Sequence, residues 1–230
     1  MMRKMALDES TQLSGHIRIG IIPTLAAYLV PRFLGNFLQL LPDLQVTIEE
    51  SNTEVIIEQL KKGQLDLGIL ATPLSETYIE EHPLFYEEFF VYSPSPSKKS
   101  YLVAEELNPH ELLLLEEGHC LRTQVVRLCQ LKQQIEGQLT YQSSSLETLR
   151  RLVEQAQGLT VLPELMTLEF SSERRACLSQ FQRPAPVREI SLVHHKSFGR
   201  KKLRELLGKT ILEGLPSHLQ ERDTFQLIEL

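Results

Sequence analysis

The feature that most constrains the fold is an alternation of apolar strand patterns and amphipathic helix patterns near the start of the chain. Strand patterns cover residues 16–22, 45–50 and 65–69, and helical patterns cover residues 23–41 and 54–62. Strands that alternate with helices form parallel sheets with right-handed crossovers. The first third of the chain is therefore predicted to be a βαβαβ unit.

The same alternation restarts later in the chain. A strand pattern at 84–92 leads into the Pro- and Ser-rich stretch Ser93–Ser100, which reads as a linker. Four further strands and three further helices follow. We predict the strands at residues 112–115, 138–141, 158–162 and 190–194, and the helices at residues 121–134, 145–157 and 198–212. The sequence therefore predicts two similar α/β units.

Composition and charge narrow the functional classes. The chain has 230 residues, 42% of them hydrophobic, with a formal charge of −6, so we expect no basic footprint for nucleic acid. We find no apolar run long enough to cross a membrane and no apolar core of a signal peptide. These observations predict a cytoplasmic protein whose three cysteines are reduced at rest. We expect no membrane partner.

The stretch from Leu112 to Cys129 carries the strongest chemical signal. Four leucines are followed by Glu116, Glu117 and Gly118, and apolar residues then recur with helical spacing. Cys120 therefore falls at the start of a helix, where the local field favours an anion and lowers a thiol pKa. The alternative is a buried cysteine that fills space as a small apolar residue.

A second cysteine, Cys129, follows nine positions later. Nine residues of α-helix rise about 13 Å and turn about 900°, so the two cysteines should lie on opposite faces. A disulfide needs Cα atoms about 4.4–6.8 Å apart. Any bond between these two cysteines would therefore require the helix to refold.

Several motifs resemble one family of regulators. Gly118-His119-Cys120-Leu121-Arg122 with the second cysteine nine positions on is similar to the sensing loop of the peroxide-responsive LysR-type transcription regulators. Three further stretches occur in the family's order, and the resemblance runs from about Gly15 to Leu212. These stretches are Ile22-Pro23-Thr24, Ser145-Leu146-Glu147-Thr148-Leu149-Arg150 and Gly158-Leu159-Thr160-Val161-Leu162-Pro163.

The resemblance implies a periplasmic-binding-protein-like α/β fold, with two Rossmann-like subdomains joined by crossover strands. We place regulatory subdomain I at residues 15–88 plus 190–230 and subdomain II, with the redox cysteines, at 89–189. Residues 1–14 are expected to be disordered or the remnant of a linker helix. Ligand sites in such folds lie at the carboxyl ends of strands.

The resemblance also implies a set of site residues. Cys120 would be the peroxidatic, sensing cysteine and Cys129 the resolving one. Simpler roles stand beside these: the threonines as helix N-caps, the histidine as an exposed loop residue and the arginine as part of a surface ion pair. Cys177 has no motif around it and is expected to be structural. The implied ligand-binding residues are Thr24, Thr53, Gly118, His119 and Arg188, the last standing where only one of two family arginines is retained.

The function implied by the resemblance is that of a hydrogen peroxide sensor without enzymatic turnover. Oxidation of Cys120 and its disulfide with Cys129 would change the arrangement of a homodimer, or of a tetramer in a full-length protein. DNA would be contacted only through an N-terminal helix-turn-helix that this chain is expected to lack, and the resemblance admits RNA polymerase as a further contact. No cofactor and no metal are expected.

Other functions are weighed beside this one. An ordinary LysR-type effector domain would bind a small molecule other than peroxide and would not need Cys120. A cysteine hydrolase would require Cys120 and His119 to act together, but adjacent residues rarely give that geometry and no oxyanion motif is visible. A zinc site at the cysteines lacks the usual ligand spacing.

Overall fold

A computed structural model describes residues 13–96, 101–129, 145–156, 158–220 and 225–228. The chain divides into two compact units, each built from two separate segments. The first unit comprises Met1–Phe85 with Ile190–Glu221, and the second comprises Tyr86–Glu189 with Arg222–Leu230.

The first unit begins with the predicted βαβαβ arrangement, which is confirmed. Its elements are β1 (Gly15–Ile21), α1 (Pro23–Leu40), β2 (Leu44–Glu50), α2 (Thr53–Lys61) and β3 (Leu67–Thr72). Strand β1 lies between β2 and β3 and is parallel to both. All six residues of β3 are buried, as expected for a parallel strand covered on both faces.

Two long strands run from one unit into the other along the chain. They are β4 (Ile79–Tyr92) and, near the end of the chain, β8 (Ala185–His195). In the first unit β8 is the neighbour of β3, and helix α7 (Lys201–Glu213) packs against α1. Both predicted crossover strands are therefore present.

The second unit is built around the later half of β4. Strand β4 pairs antiparallel with β6 (Thr160–Pro163) and with β7 (Leu178–Phe181), and β5 (Tyr101–Leu102) is parallel to β7. Among the described residues, no helix is long and apolar enough to cross a membrane. The α-helices described in this unit are α3 (Cys120–Leu128), α4 (Leu146–Ala156), α5 (Glu164–Thr167) and α6 (Ser172–Ala176).

The C-terminal segment differs from the expectation, which placed all of residues 190–230 in the first unit. Strand β9 (Phe225–Leu227) pairs parallel with β8 at Ala185–Val187, and the N–H of Ile228 donates to the carbonyl of Val187 at 2.8 Å. Since this part of β8 belongs to the second unit, the C-terminal segment joins that unit too.

The apolar run at 112–115 was predicted to be a strand, and this was wrong. Only Leu112 forms an isolated bridge, with Leu159. Two downstream carbonyls of the run bind side chains instead, because Thr160 Oγ1 donates to Leu113 O and Arg122 Nη1 donates to Leu115 O. The strand predicted at 138–141 lies outside the described residues. The helix predicted at 121–134 is shorter than expected, because it ends at Leu128 with Cys129 as its C-cap.

Two glycines give a matched test of the packing in the first unit. A Cβ on Gly68 of β3 would lie 2.9 Å from methyl carbons of both Ile56 and Val193, whereas a Cβ on Gly35 of α1 would meet nothing within 4 Å. We predict that Gly68→Ala lowers the free energy of unfolding by about 1–3 kcal/mol, since over-packing forces neighbouring side chains to shift.

Gly35→Ala should instead raise the free energy of unfolding by about 0.5–1 kcal/mol, because alanine loses less backbone entropy than glycine when it is fixed in a helix. Urea denaturation of both variants, with a reporter in the first unit, checks this pair. Equal stability of the two variants would contradict the close approach of α2 and β8 to Gly68.

Candidate redox site

Helix α3 carries both candidate redox cysteines, and the residue before its N-cap shows why it starts where it does. Gly118 has a φ of 91°, a left-handed conformation that only glycine adopts without strain. His119 then has extended dihedrals as the N-cap, and its carbonyl accepts from the N–H of Arg122 at 3.0 Å. The turn at Gly118 therefore makes Cys120 the first helical residue.

Cys120 is partly exposed at this helix start, and it is a thiol rather than half of a disulfide. The positive end of a helix dipole favours a negative charge within the first turn. A thiolate is the nucleophilic form of cysteine. The position therefore combines access to solvent with a field that stabilises the reactive species.

His119 is buried, with 7% of its surface exposed, so the exposed-loop alternative is wrong. Its Nε2 lies 3.6 Å from Oε1 of Glu116. The guanidinium of Arg122 points back to the carbonyl of Leu115 at 2.9 Å. The loop before the helix is therefore held by side chains on both sides of Cys120.

Cys129 stands at the other end of the helix. It is the C-cap residue, it is buried, and its N–H donates to the carbonyl of Val125 at 3.0 Å. It too is a thiol. Because α3 is helical from Cys120 to Leu128, the two cysteines are separated along its axis by about 13 Å.

Three residues of α3 fix it to the second unit. Leu121 and Val125 are almost fully buried, and Gln124 is fully buried. The side-chain N–H of Gln124 donates to the carbonyl of Ile228 in the C-terminal segment at 2.9 Å. Its side-chain oxygen finds no hydrogen-bond partner among the described residues. Leu128, the third apolar residue at helical spacing, is only half-buried.

A cavity of about 490 Å³ lies beside the C-terminal end of α3, within the second unit. Its walls include Arg127 and Leu128 of the helix and Gln226 of β9. The end of the helix that carries Cys129 therefore borders open space rather than close-packed protein.

The two candidate threonines lie in the first unit, and neither is an N-cap. Helix α1 has Ile22 as its N-cap, so Thr24 is its second residue and is buried. Helix α2 has Asn52 as its N-cap, so Thr53 is its first residue. Thr53 Oγ1 is buried without a hydrogen-bond partner among the described residues. The capping alternative is therefore wrong for both positions.

Arg188 of β8 is fully buried and does not form the surface ion pair that was the alternative. Its Nε and Nη2 each lie 2.8 Å from Oε1 of Glu87, and the other oxygen of Glu87 accepts from the N–H of Leu165 at 3.0 Å. Burial raises the pKa of Glu87, while the positive charge of Arg188 opposes this rise. The pair is a buried charged link between β4 and β8 in the second unit.

Cys177 follows α6 as its C-cap and is partly exposed. Burial and the negative charge of Glu154 raise the pKa of this thiol. A raised pKa disfavours the thiolate, which agrees with the expectation that Cys177 is structural.

Sequence reasoning did not identify Gln124, Glu87 or the C-terminal segment as parts of this region. Gln124 sits within the helical pattern, but its partner Ile228 is 104 positions away. A glutamate in an apolar strand pattern was the available signal for Glu87, since buried carboxylates are rarely left without a partner.

Comparison with known proteins matches residues 10–213 to the family described as the LysR substrate binding domain. The chain belongs to this LysR family. The match covers well over half of the sequence and includes every candidate site residue, so the family assignment applies to both units.

Individual LysR relatives point to one branch of the family. The chain is 34% identical over 226 residues to the hydrogen peroxide-inducible genes activator of Haemophilus influenzae, covering 94% of this chain and 74% of that protein. The crystal structure of OxyR from Porphyromonas gingivalis superimposes with a TM-score of 0.85 at 34% identity, covering 94% of this chain and all of that one.

A third relative is known with its ligand. A cysteine-to-serine mutant of OxyR from Corynebacterium glutamicum, H2O2-bound, matches with a TM-score of 0.78 at 27% identity and covers 93% of this chain and 70% of that one. The chain is thus similar throughout its length to OxyR proteins.

The buried ion pair between Glu87 and Arg188 gives a test of the stability of the second unit. Glu87→Gln should lower the free energy of unfolding by about 3–5 kcal/mol, because it leaves the buried charge of Arg188 without its carboxylate. Chemical denaturation measures this change, and hydrogen exchange locates it in the second unit.

The matched control is Glu58→Gln, which removes an exposed ion pair with Lys62 and should change stability little. The double variant Glu87→Leu with Arg188→Met should recover much of the loss, since replacing both partners leaves no buried charge. A Glu87→Gln protein as stable as the control would show that Glu87 is protonated beside Arg188.

Proposed function

We propose that this chain is the regulatory portion of a LysR-type transcription activator that senses hydrogen peroxide through Cys120 and Cys129. The observation that carries the proposal is the placement of two thiols at opposite ends of one short helix. Cys120 lies at the N-terminal end of the helix, where the helix dipole favours the thiolate. Cys129 lies at the opposite end, so the two sulfurs can bond only after the helix has unwound. The likeness to hydrogen peroxide-inducible activators supports the same proposal.

The first chemical step consumes one peroxide molecule. The Cys120 thiolate attacks one peroxide oxygen, the O–O bond breaks, and the departing hydroxide takes up a proton to leave as water. The sulfur is thereby oxidised to sulfenic acid, the first and reversible product of thiol oxidation. The helix start stabilises the thiolate that begins this step.

The second step forms the disulfide. The Cys129 thiolate attacks the Cys120 sulfur, the S–O bond breaks, and the hydroxide leaves as water after protonation. A separation of about 13 Å along a helix cannot be bridged at disulfide distance. Helix α3 must therefore unwind before this step, and the cavity beside Leu128 offers space for the displaced chain.

Peroxide recognition is assigned to the predicted ligand-binding residues. A threonine hydroxyl both donates and accepts, which suits a ligand with two O–H groups, and the buried hydroxyl of Thr53 has no hydrogen-bond partner among the described residues. Thr24, Gly118 and His119 complete this proposed set. Arg188 belongs to it as a buried cation, two of whose nitrogens are engaged by Glu87.

The output is proposed to be transcriptional rather than catalytic, because one oxidation event per cysteine pair carries the signal. The relatives are named as gene activators. We propose that the chain works as a cytoplasmic homodimer, or as a tetramer in a longer protein, and that a separate N-terminal domain contacts DNA. RNA polymerase is the further partner of such an activator.

The alternative is an effector domain for another small molecule. The second cysteine at the far end of α3 has no role in that alternative. Replacing Cys120 with serine separates the two proposals, since effector binding would survive the change and the peroxide response would not.

Peroxide should convert Cys120 and Cys129 into a disulfide and leave Cys177 as a thiol. Intact mass after one equivalent of peroxide should fall by the mass of two hydrogens, and peptide mapping should find the bridge between the first two cysteines. Cys177→Ser should behave like the unchanged chain, and Cys120→Ser should not react. A bridge from Cys120 to Cys177 would refute the assignment.

Thr53→Val should slow the oxidation of Cys120 by peroxide without unfolding the protein, because it removes a hydroxyl at nearly constant volume. The measurement is the second-order rate of thiol loss. Thr210→Val is the matched control, since Thr210 is a buried threonine of the same unit whose hydroxyl donates to Leu206 O within its own helix. Equal rates in both variants would remove Thr53 from the proposed set of ligand-binding residues.

Oxidation should increase amide hydrogen exchange across residues 119–129 and in the C-terminal segment 225–228. Unwinding of α3 removes the Gln124–Ile228 hydrogen bond and exposes Leu121 and Val125, each worth about 1.5–3 kcal/mol when buried. The βαβαβ region of the first unit should keep its protection. Unchanged exchange across α3 with the disulfide verified by mass would contradict the refolding step.

A further inference from the structure

A cluster of two histidines and a glutamate lies in the first unit, whereas the candidate redox cysteines lie in the second unit. Glu80 and His82 are alternate residues of β4, so their side chains leave the same face of the strand. His194 comes from β8. The ligand atoms of all three lie within 4.8 Å of one another.

The two imidazoles face each other through the same type of atom. His82 Nε2 and His194 Nε2 are 3.0 Å apart. The Nδ1 of His194 lies 2.9 Å from the carbonyl of His195, and a carbonyl can only accept, so the proton sits on Nδ1. In the neutral imidazole, Nε2 of His194 is then the acceptor nitrogen, and its lone pair points at His82. Outer hydrogen bonds of this kind orient histidines that bind metals.

The carboxylate completes a three-ligand set. Oε2 of Glu80 lies 3.9 Å from His82 Nε2 and 3.8 Å from His194 Nε2. Tetrahedral sites with bonds of about 2.0–2.1 Å place their ligand atoms about 3.4 Å apart. Each distance in the cluster needs to change by only about half an ångström to meet this geometry.

The site already selects a positive charge. Nη1 of Arg204 lies 2.8 Å from His82 Nε2 and 3.2 Å from His194 Nε2, so a guanidinium nitrogen occupies the point at which both lone pairs converge. Nη2 of the same arginine lies 3.3 Å from the exposed carboxylate of Glu205. A cavity of about 570 Å³ lined by His82 and Arg204 adjoins the cluster.

We propose that Glu80, His82 and His194 form a binding site for a divalent transition-metal ion such as Zn²⁺, which Arg204 closes when the metal is absent. Metal binding moves the guanidinium into the adjoining cavity towards Glu205. Two histidines and one carboxylate suit Zn²⁺, Ni²⁺, Co²⁺ and Cu²⁺ far better than Mg²⁺ or Ca²⁺. The fourth position then faces the cavity and takes water or a small ligand.

The expectation of no metal rested on the ligand spacing around the two cysteines. Glu80-Glu81-His82 is a short motif without a recognisable partner, and His194 follows 112 positions later. The three side chains come together because β4 and β8 are neighbouring strands of the sheet.

Titration with Co²⁺ tests the site, in a protein with all three cysteines replaced by serine so that thiolates contribute nothing. We expect visible absorption bands typical of nitrogen and oxygen ligands, saturating at one ion per chain, and displacement by Zn²⁺. His82→Ala should weaken binding by at least about tenfold, since even the loss of an outer-shell partner costs about 10–100-fold. Because His82 is half-exposed, this variant is expected to fold, as circular dichroism will verify.

Two further variants sharpen the result. Arg204→Ala should tighten Co²⁺ binding, because it removes the competing cation. His16→Ala is the matched control, since His16 is an exposed histidine of the same unit that contacts Thr47. Equal affinity in the His82→Ala and His16→Ala proteins, or weaker binding after Arg204→Ala, would overturn the proposed site. Either outcome leaves the proposal for Cys120 and Cys129 intact, because their oxidation is measured separately.

Discussion

The rigidity of one nine-residue helix is the constraint on which the proposed mechanism depends. A helix holds its first residue and its C-cap on opposite faces, about 13 Å apart along the axis, so Cys120 and Cys129 cannot bond while α3 exists. The helix therefore keeps the proposed sensing thiol and the proposed resolving thiol apart by geometry alone. In the proposed mechanism, oxidation changes the structure because the disulfide and the helix exclude each other.

The energetics of α3 suit a segment with two states. Isolated helices shorter than about 12–15 residues are marginal in water, so the helix depends on its contacts with the second unit. Leu121 and Val125 supply apolar burial, whereas the buried side-chain oxygen of Gln124 lacks a partner among the described residues, which costs about 1–3 kcal/mol. A segment that is held by few residues and carries such a cost needs little compensation to change its structure.

Much of the fold followed from local patterns, whereas the contacts that define the site did not. The βαβαβ region could be predicted because strand and helix periodicities are written in neighbouring residues. The strand prediction at 112–115 was wrong because an apolar run does not show whether a neighbouring strand is available. In the structure, side chains donate hydrogen bonds to the carbonyls of Leu113 and Leu115. The start of α3 was predicted nearly to the residue, but the burial of Arg188 against Glu87 and the pairing of His82 with His194 depend on partners more than a hundred positions away.

The tie between Gln124 and Ile228 has a consequence for biosynthesis. These residues are 104 positions apart, and the intervening chain includes the second segment of the other unit. At about 5–20 residues per second, a ribosome needs about 5–20 s to make that stretch after α3 has emerged. During this interval the nascent helix lacks its C-terminal anchor. Each new molecule thus completes the contacts of α3 only after the second segment of the other unit has been made.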